Sequence, residues 1–402
     1  MITSRLQNKS TFVTMPEIPL PKFLRHDLPS ALLVGAGIWL FGILIKFPQG
    51  LLTTSHFPRL DDYLKLCANP FARDVNPILA YRISVPVLAW ALHLPPIVCT
   101  LLPILFLITS YGVIFYIVSK RTCDRRFALM VVAGLSLTFF ALWTNRWLGS
   151  PDSFSHLFSA AALLSSNPLF LALTCFLGTL NDERWVMSVP FLLYWHGSGR
   201  AKPDVIDWTI VTRAAFALSV GIILVLLIRH ALSVGWIGPG IAASWYSKML
   251  SVPPDRLFPY NSSWALFGLN IFMGLAWYWL AVVRLVARQL SSAVSIWGYF
   301  LAVCIFVTGL STGLVEDVSR SIGFLFLGIV AAAVSGHEAG AEAARIRWRN
   351  LLIASLLTPT IYYTGFSGAA FIPFPVDLGN HLLYEYRGVD LLQTLKLWFR
   401  LA

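Results

Sequence analysis

Long apolar runs, about 18 residues or more, recur from one end of this chain to the other, and no other feature restricts its fold as strongly. Such runs pass through hydrocarbon as helices, because each N–H and C=O must find its partner inside the segment. Of the 402 residues, 57% are hydrophobic and only 12% are charged, where a soluble domain carries roughly 25% charged residues. The short alternating segments of a transmembrane β-barrel do not occur. The expectation is a single all-α, polytopic membrane bundle over 1–402, with no soluble domain longer than a loop.

The basic residues orient the segments. Arg5, Lys9, Lys22 and Arg25 precede the run 31–47, which places the N-terminus on the cytoplasmic side. The first 30 residues lack a signal-peptide pattern, so this first helix is expected to act as an uncleaved anchor. The loop 48–95 then lies outside. Its part 77–94 holds Pro77, Arg82, Pro86 and His93, and is read as a helix lying along the interface. With that choice, 97–119 returns Lys120, Arg121, Arg125 and Arg126 to the inner side. The remaining segments are 127–144, 153–166, 168–180, 186–196, 210–229, 264–286, 292–311, 321–336 and 351–367. The count is about eleven membrane segments, N-in and C-out, with a second external loop at 230–262 and an external tail at 367–402. Three of them, between 153 and 196, run only ~11–14 residues, which is short for a full crossing.

The formal charge of +11 follows from this loop bias rather than from nucleic-acid binding, since no basic groove or RNA-binding motif accompanies it. Cys67, Cys99, Cys123, Cys175 and Cys304 form no CxxC, so the spacing indicates neither a zinc site nor a disulfide framework. No HExxH or related signature marks a metal site. No cofactor is called for, although transfer chemistry leaves room for a divalent cation.

Four polar clusters fall on the outer side of this topology. They are Asp61-Asp62-Tyr63 with Asp74, Asp152 ahead of His156, Asp182-Glu183-Arg184, and Glu316-Asp317 with Arg320. Arg82, beside Tyr81, lies in the same first loop. Each has a plainer reading. The Asp pair is a solvated loop, 182–184 a water-facing turn, and Asp317 with Arg320 a local i,i+3 pair. His156 is then a hydrogen-bonded core residue. Taken together, ionisable groups at membrane depth face a cavity or a partner. A carboxylate there takes a proton from an attacking hydroxyl, and the forked donors of arginine match phosphate.

Arg59-Leu60-Asp61-Asp62-Tyr63 in the first external loop resembles the acidic motif of the GT-C superfamily of membrane glycosyltransferases. Tyr81-Arg82-Ile83-Ser84-Val85-Pro86-Val87-Leu88-Ala89 is similar to a YRxLxPxLA pattern of bacterial GT-C-like proteins. Leu177-Gly178-Thr179-Leu180-Asn181-Asp182-Glu183-Arg184 looks like their LGxLxRE stretch, with the order of Arg and Glu reversed. Asp317-Val318-Ser319-Arg320 is similar to a late DxxR. The resemblance implies a glycosyltransferase that moves a sugar from a polyprenyl-phosphate-linked donor to a glycan, lipid or protein acceptor. It would act at the outer face of a bacterial inner membrane. It implies Asp62, or its neighbour Asp61, as catalytic base. The substrate-binding set it implies is Tyr63, Asp74, Arg82, Asp152, His156, Glu183, Arg184, Asp317 and Arg320, with Arg184 and Arg320 on phosphate. The alternatives are a polymerase or ligase of lipid-linked glycans, and a non-enzymatic transporter or flippase of lipid-linked sugars.

Overall fold

The computed structural model describes residues 27–48, 58–72, 75, 77–146, 152–198, 206–237, 264–292, 295–312, 318–363 and 368–387. Among these described residues, five helical stretches are long and apolar enough to cross a membrane, and a bent pair makes a sixth. The first is α1 (Leu28–Ile45), followed by a two-residue strand β1 (Phe47–Pro48). Three short helices come next, α2 (Pro58–Ala68), α3 (Pro77–Ala80) and α4 (Ser84–Ala91). The second long helix is α5 (Pro96–Thr122). The bent pair is α6 (Arg125–Leu135) and α7 (Phe139–Arg146), inclined by 56°. Ser136 and Thr138 at the break turn their hydroxyls onto the carbonyls of Ala133 and Leu135, a substitution for ladder bonds that bends helices.

Helices α8 (Asp152–Ala162), α9 (Pro168–Asn181) and α10 (Val189–Gly197) follow, with a 3₁₀ turn over Glu183–Ser188. Then come α11 (Trp208–Ser233), α12 (Trp264–Leu275), α13 (Trp279–Leu290) and α14 (Ile296–Thr312). The third long stretch is α11, and the fourth runs through α12 and α13 across a 3₁₀ turn at Ala276–Tyr278. The fifth joins α15 (Val318–Gly323) to α16 (Phe326–Ala339), and nearly all of it is enclosed by the others. The chain continues through α17 (Ala341–Leu357), β2 (Thr360–Tyr363), β3 (Gly368–Ile372) and α18 (Phe374–Arg387).

The apolar surface is inverted relative to a water-soluble fold. Leu33, Phe216, Leu226 and Phe306 point outward, while Asp152, Asp182, Arg320 and Asn270 are buried. This distribution, with the long apolar helices, marks an integral membrane protein. Pairing of α1 with α5 shows how the helices approach. A Cβ at Gly35 would run into the carbonyl of Ile108, and one at Gly112 into that of Ala31. Small residues let backbones come this close where lipid offers no hydrophobic drive.

Two charged layers cap the bundle. At one end Asp27 meets Lys120 at 4.0 Å, and Asp124 accepts from the Arg345 guanidinium at 2.6 Å and from the Phe127 N–H at 3.0 Å. Burial raises the Asp124 carboxyl, but that N–H and Arg345 outweigh it and hold it below the usual range. At the other end the Ser153 hydroxyl donates to the Pro103 carbonyl, beside Asp152. From Pro103 to Thr122 the α5 axis rises about 28 Å at 1.5 Å per residue, close to the ~30 Å of a hydrocarbon core.

Three expectations change. The stretch 77–94, expected as one interfacial helix, is two short helices broken at Tyr81–Ile83. The stretch 351–367 is not one membrane helix: α17 starts at Ala341, within the presumed loop, and stops at Leu357. Pro359 and the β-branched Thr360 and Ile361 end it, since proline disfavours helix at the residue before it. Finally, the otherwise helical chain carries a small antiparallel sheet of order β1-β3-β2.

Gly35→Leu is expected to lower stability by about 1–3 kcal/mol through overpacking. Gly37→Leu, where a side chain meets open space, should stay within roughly 0.5 kcal/mol of wild type. Denaturation of the detergent-solubilised protein checks the pair.

Candidate functional site

Five ionisable side chains meet in the interior near the Pro103 end of α5. Arg82 comes from the break between α3 and α4. Asp152 opens α8. Asp182 and Arg184 come from the turn after α9, and Arg320 from α15. Each position follows from local rules. Asp152 sits in the first turn of its helix, where the dipole favours an anion. Asp182 ends α9, its N–H bonding to the Gly178 carbonyl at 3.0 Å, and its side chain accepts from the Arg184 N–H at 3.0 Å. Such short-range capping is what aspartate does at turns.

The side chains then interlock. Arg184 grips Asp182 with two donors, Nε at 2.8 Å and Nη2 at 2.5 Å. Arg320 grips Asp152 likewise, through Nε and through Nη2 at 2.6 Å. Arg82 bridges the two acids, at 3.1 Å from Asp182 and 3.4 Å from Asp152. Cross-contacts of 3.7 Å from Arg184 to Asp152 and 3.8 Å from Arg320 to Asp182 close the network. Arg320 also lies 4.6 Å from the Trp143 ring centroid, and Arg184 lies 5.2 Å from that of Phe324. A guanidinium on an aromatic face gains cation–π attraction.

All five are enclosed, with Asp182 fully buried and Arg184, the most open, at 10% side-chain exposure. Burial alone would raise the Asp152 carboxyl, but Arg320, Arg184 and Arg82 overcome it and hold it well below the carboxylate range. Three guanidinium groups face two carboxylates here, and the Glu183 carboxylate acts on Arg82 and Arg184 from alongside. The Arg82 Nε is a buried donor with no acceptor among the described residues. The cluster therefore offers forked guanidinium donors and one spare N–H, the chemistry that recognises an anion.

Two further elements adjoin it. Glu183, half-exposed, accepts from Arg229 of α11 at 2.9 Å. One turn along α8 from Asp152, His156 is enclosed by the rings of Phe140, Phe324 and Phe326, and its ring nitrogens have no hydrogen-bond partner among the described residues.

Of the residues singled out from sequence, Arg82, Asp152, Arg184 and Arg320 come together, with His156 and Glu183 alongside. Asp61 and Asp62 stand on α2, one exposed and the other half-buried. Tyr63 turns inward, donates to the Cys99 carbonyl at 3.2 Å and packs with Val85 and Phe154. Those two lie three residues after Arg82 and two after Asp152, so α2 rests against the helices that leave the cluster. Asp74 and Asp317 lie outside the described residues. Sequence reasoning undervalued Asp182 and missed Arg229. Asp182 looks like an ordinary turn residue. A lone arginine near the end of the long apolar α11 is the signal that finds Arg229. Among the described residues, no group of His, Cys, Asp and Glu could hold a metal ion.

Comparison with protein-family models, with curated protein sequences and with solved structures returns no match for this chain.

Removing one member strands a buried charge, so Arg320→Ala and Asp152→Ala are each expected to cost about 3–5 kcal/mol. The double variant should cost clearly less than the sum. The depressed Asp152 carboxyl adds stability above the unfolded value of about 3.9, and that stability goes as pH falls through its folded value. Its contribution should therefore be flat from about pH 5 to 8, and Asp152→Asn should shrink the acid limb of a stability–pH profile, the remainder coming from other depressed carboxylates such as Asp124.

Proposed function

We propose that this protein is a membrane glycosyltransferase of GT-C type, acting on a polyprenyl-phosphate-linked sugar donor at the membrane surface nearest the arginine–aspartate cluster. The observation that carries the reading is the convergence of Arg82, Arg184 and Arg320 on Asp152 and Asp182 at one end of an apolar bundle. A network of three forked donors with a spare Arg82 N–H suits a phosphate ester whose lipid tail stays between helices. The loop acids supply the other half. In this reading Asp62, half-buried on α2, takes the proton from the attacking acceptor hydroxyl, with Asp61 as the neighbouring alternative.

The order of events follows from charge. The donor phosphate approaches the Arg82 side, where the buried Nε lacks an acceptor. Asp152 and Asp182 keep the guanidinium groups apart and oriented while the site is empty. As the bond from sugar to phosphate oxygen breaks, negative charge grows on the leaving phosphate, and fixed arginines stabilise it without reorganising. The acceptor oxygen bonds to the anomeric carbon as its proton passes to the loop carboxylate. The side of the membrane assigned to this end is the extracytoplasmic one, by the basic-residue bias read from sequence.

Asp62→Asn keeps size and removes the base. In a strain lacking the gene, the variant is expected at wild-type membrane level with a null surface-glycan profile, and in proteoliposomes with transfer reduced about 10²–10⁴-fold. Full restoration of the glycan by Asp62→Asn, Asp61→Asn and their double variant would overturn the loop acid as base. Arg320→Lys, which keeps charge but loses the fork, should weaken donor use without abolishing expression.

A further inference from the structure

We infer that Cys67 and Cys99 are a disulfide-forming pair whose bridge ties α2 to the start of α5. The other cysteines lie elsewhere. Cys123 is exposed after α5, Cys175 contacts the Leu218 carbonyl of α11, and Cys304 is on α14. Cys67 and Cys99 instead share one buried cluster with Tyr63, Val85, Ala89 and Phe154. Cys67 stands one helical turn after Tyr63, whose hydroxyl bonds to the Cys99 carbonyl at 3.2 Å. At that spacing Cys67 shares the face of α2 that Tyr63 seats against the start of α5, the face toward Cys99. Nothing in their sequence spacing announces the pair, which exists only because α2 folds back onto α5.

The consequence is mechanical. Among the long helices of the bundle, α2 packs on α5, and it also lies on the short α4. A bond from Cys67 to Cys99 would close the chain between them into a ring that contains the Arg82 break. It would limit both the travel of the helix bearing Asp61 and Asp62 and the travel of Arg82. This inference does not depend on the transferase reading, since the bond and the tether are measured without any substrate.

The chemistry is thiol–disulfide exchange with a small disulfide oxidant. One cysteine, as thiolate, attacks the oxidant, forms a mixed disulfide and releases one oxidant thiolate. The second cysteine, after losing its proton, attacks the protein sulfur and releases the other. The pair gives up two electrons and two protons, and one oxidant disulfide becomes two thiols. With α2 seated, burial pushes the Cys67 thiol up to about 12, so the resting pair reacts slowly. Exchange takes place when α2 lifts, and reseating shields the finished bond. In an oxidising compartment the pair closes, and in a reducing one it stays as two thiols.

The test treats the full-length protein in detergent with oxidised glutathione, then alkylates remaining thiols after denaturation and analyses peptides by mass spectrometry. The expected result is a peptide linking Cys67 to Cys99, loss of two alkylatable thiols, and reversal by reductant. Amide exchange across 58–68 should slow in the oxidised form. Cys67→Ser and Cys99→Ser should each abolish the linked peptide, and a Cys123→Ser/Cys304→Ser variant should retain it. Glutathione adducts on both cysteines without a link, linkage to Cys123 or Cys304 instead, or full alkylation of both after oxidation would each overturn the pair. The wild-type peptide map distinguishes these outcomes even where a serine variant fails to fold.

Discussion

The buried pairing of Asp152 and Asp182 with three arginines is the interaction on which the arrangement of this end of the bundle depends. Charges taken out of water cost several kcal/mol each unless the geometry returns it. Here the return requires α8, the turn after α9, α15 and the α3–α4 break to meet in one register. A slide of one helix by a single residue would leave a carboxylate or guanidinium in a dry interior. The cluster thus acts as a registration device for helices whose lipid-facing sides are too uniformly apolar to set their own depth. The aromatic faces of Trp143 and Phe324 limit where Arg320 and Arg184 can lie.

The opposite end works by different rules. Asp124 caps α6 and holds Arg345 of α17, while Lys120 reaches Asp27. Arg345 and Lys120 are more than half exposed, so these pairs are weak fasteners. About one bilayer thickness separates this open layer from the enclosed one. The asymmetry is physical: one end meets water and tolerates change, and the other stores electrostatic energy in a confined network. A network of that kind braces the four chain segments that meet in it, since losing any one member strands a charge in a dry interior.

Helix breaks place the polar groups. The α6–α7 bend brings Trp143 under Arg320. The α3–α4 break releases Arg82 from a helix ladder so that its guanidinium reaches two acids from different helices. The 3₁₀ turn after α9 presents Asp182 and Arg184 together. At the α6–α7 break Ser136 and Thr138 bond back onto the ladder, and after α9 Asp182 caps the turn. These residues determine local geometry and, through it, the electrostatics of the interior.

What the sequence determined by itself is the solvent. Apolar runs and scarce charge require helices with satisfied backbones, and the basic flanks bias their ends. The sequence also marked Arg82, Asp152, Glu183, Arg184 and Arg320 as costly to place in a membrane, because each interrupts an apolar setting. Only the tertiary structure decided that Arg82, Asp152, Arg184 and Arg320 share one network with Asp182, that Arg229 holds Glu183, and that Cys67 and Cys99 share one buried cluster. It also replaced a presumed crossing at 351–367 by a helix and a strand. The reason is range. Hydropathy and capping act over a few residues, whereas an ion pair between positions 152 and 320 exists only after the intervening helices have packed, and no local pattern encodes that distance.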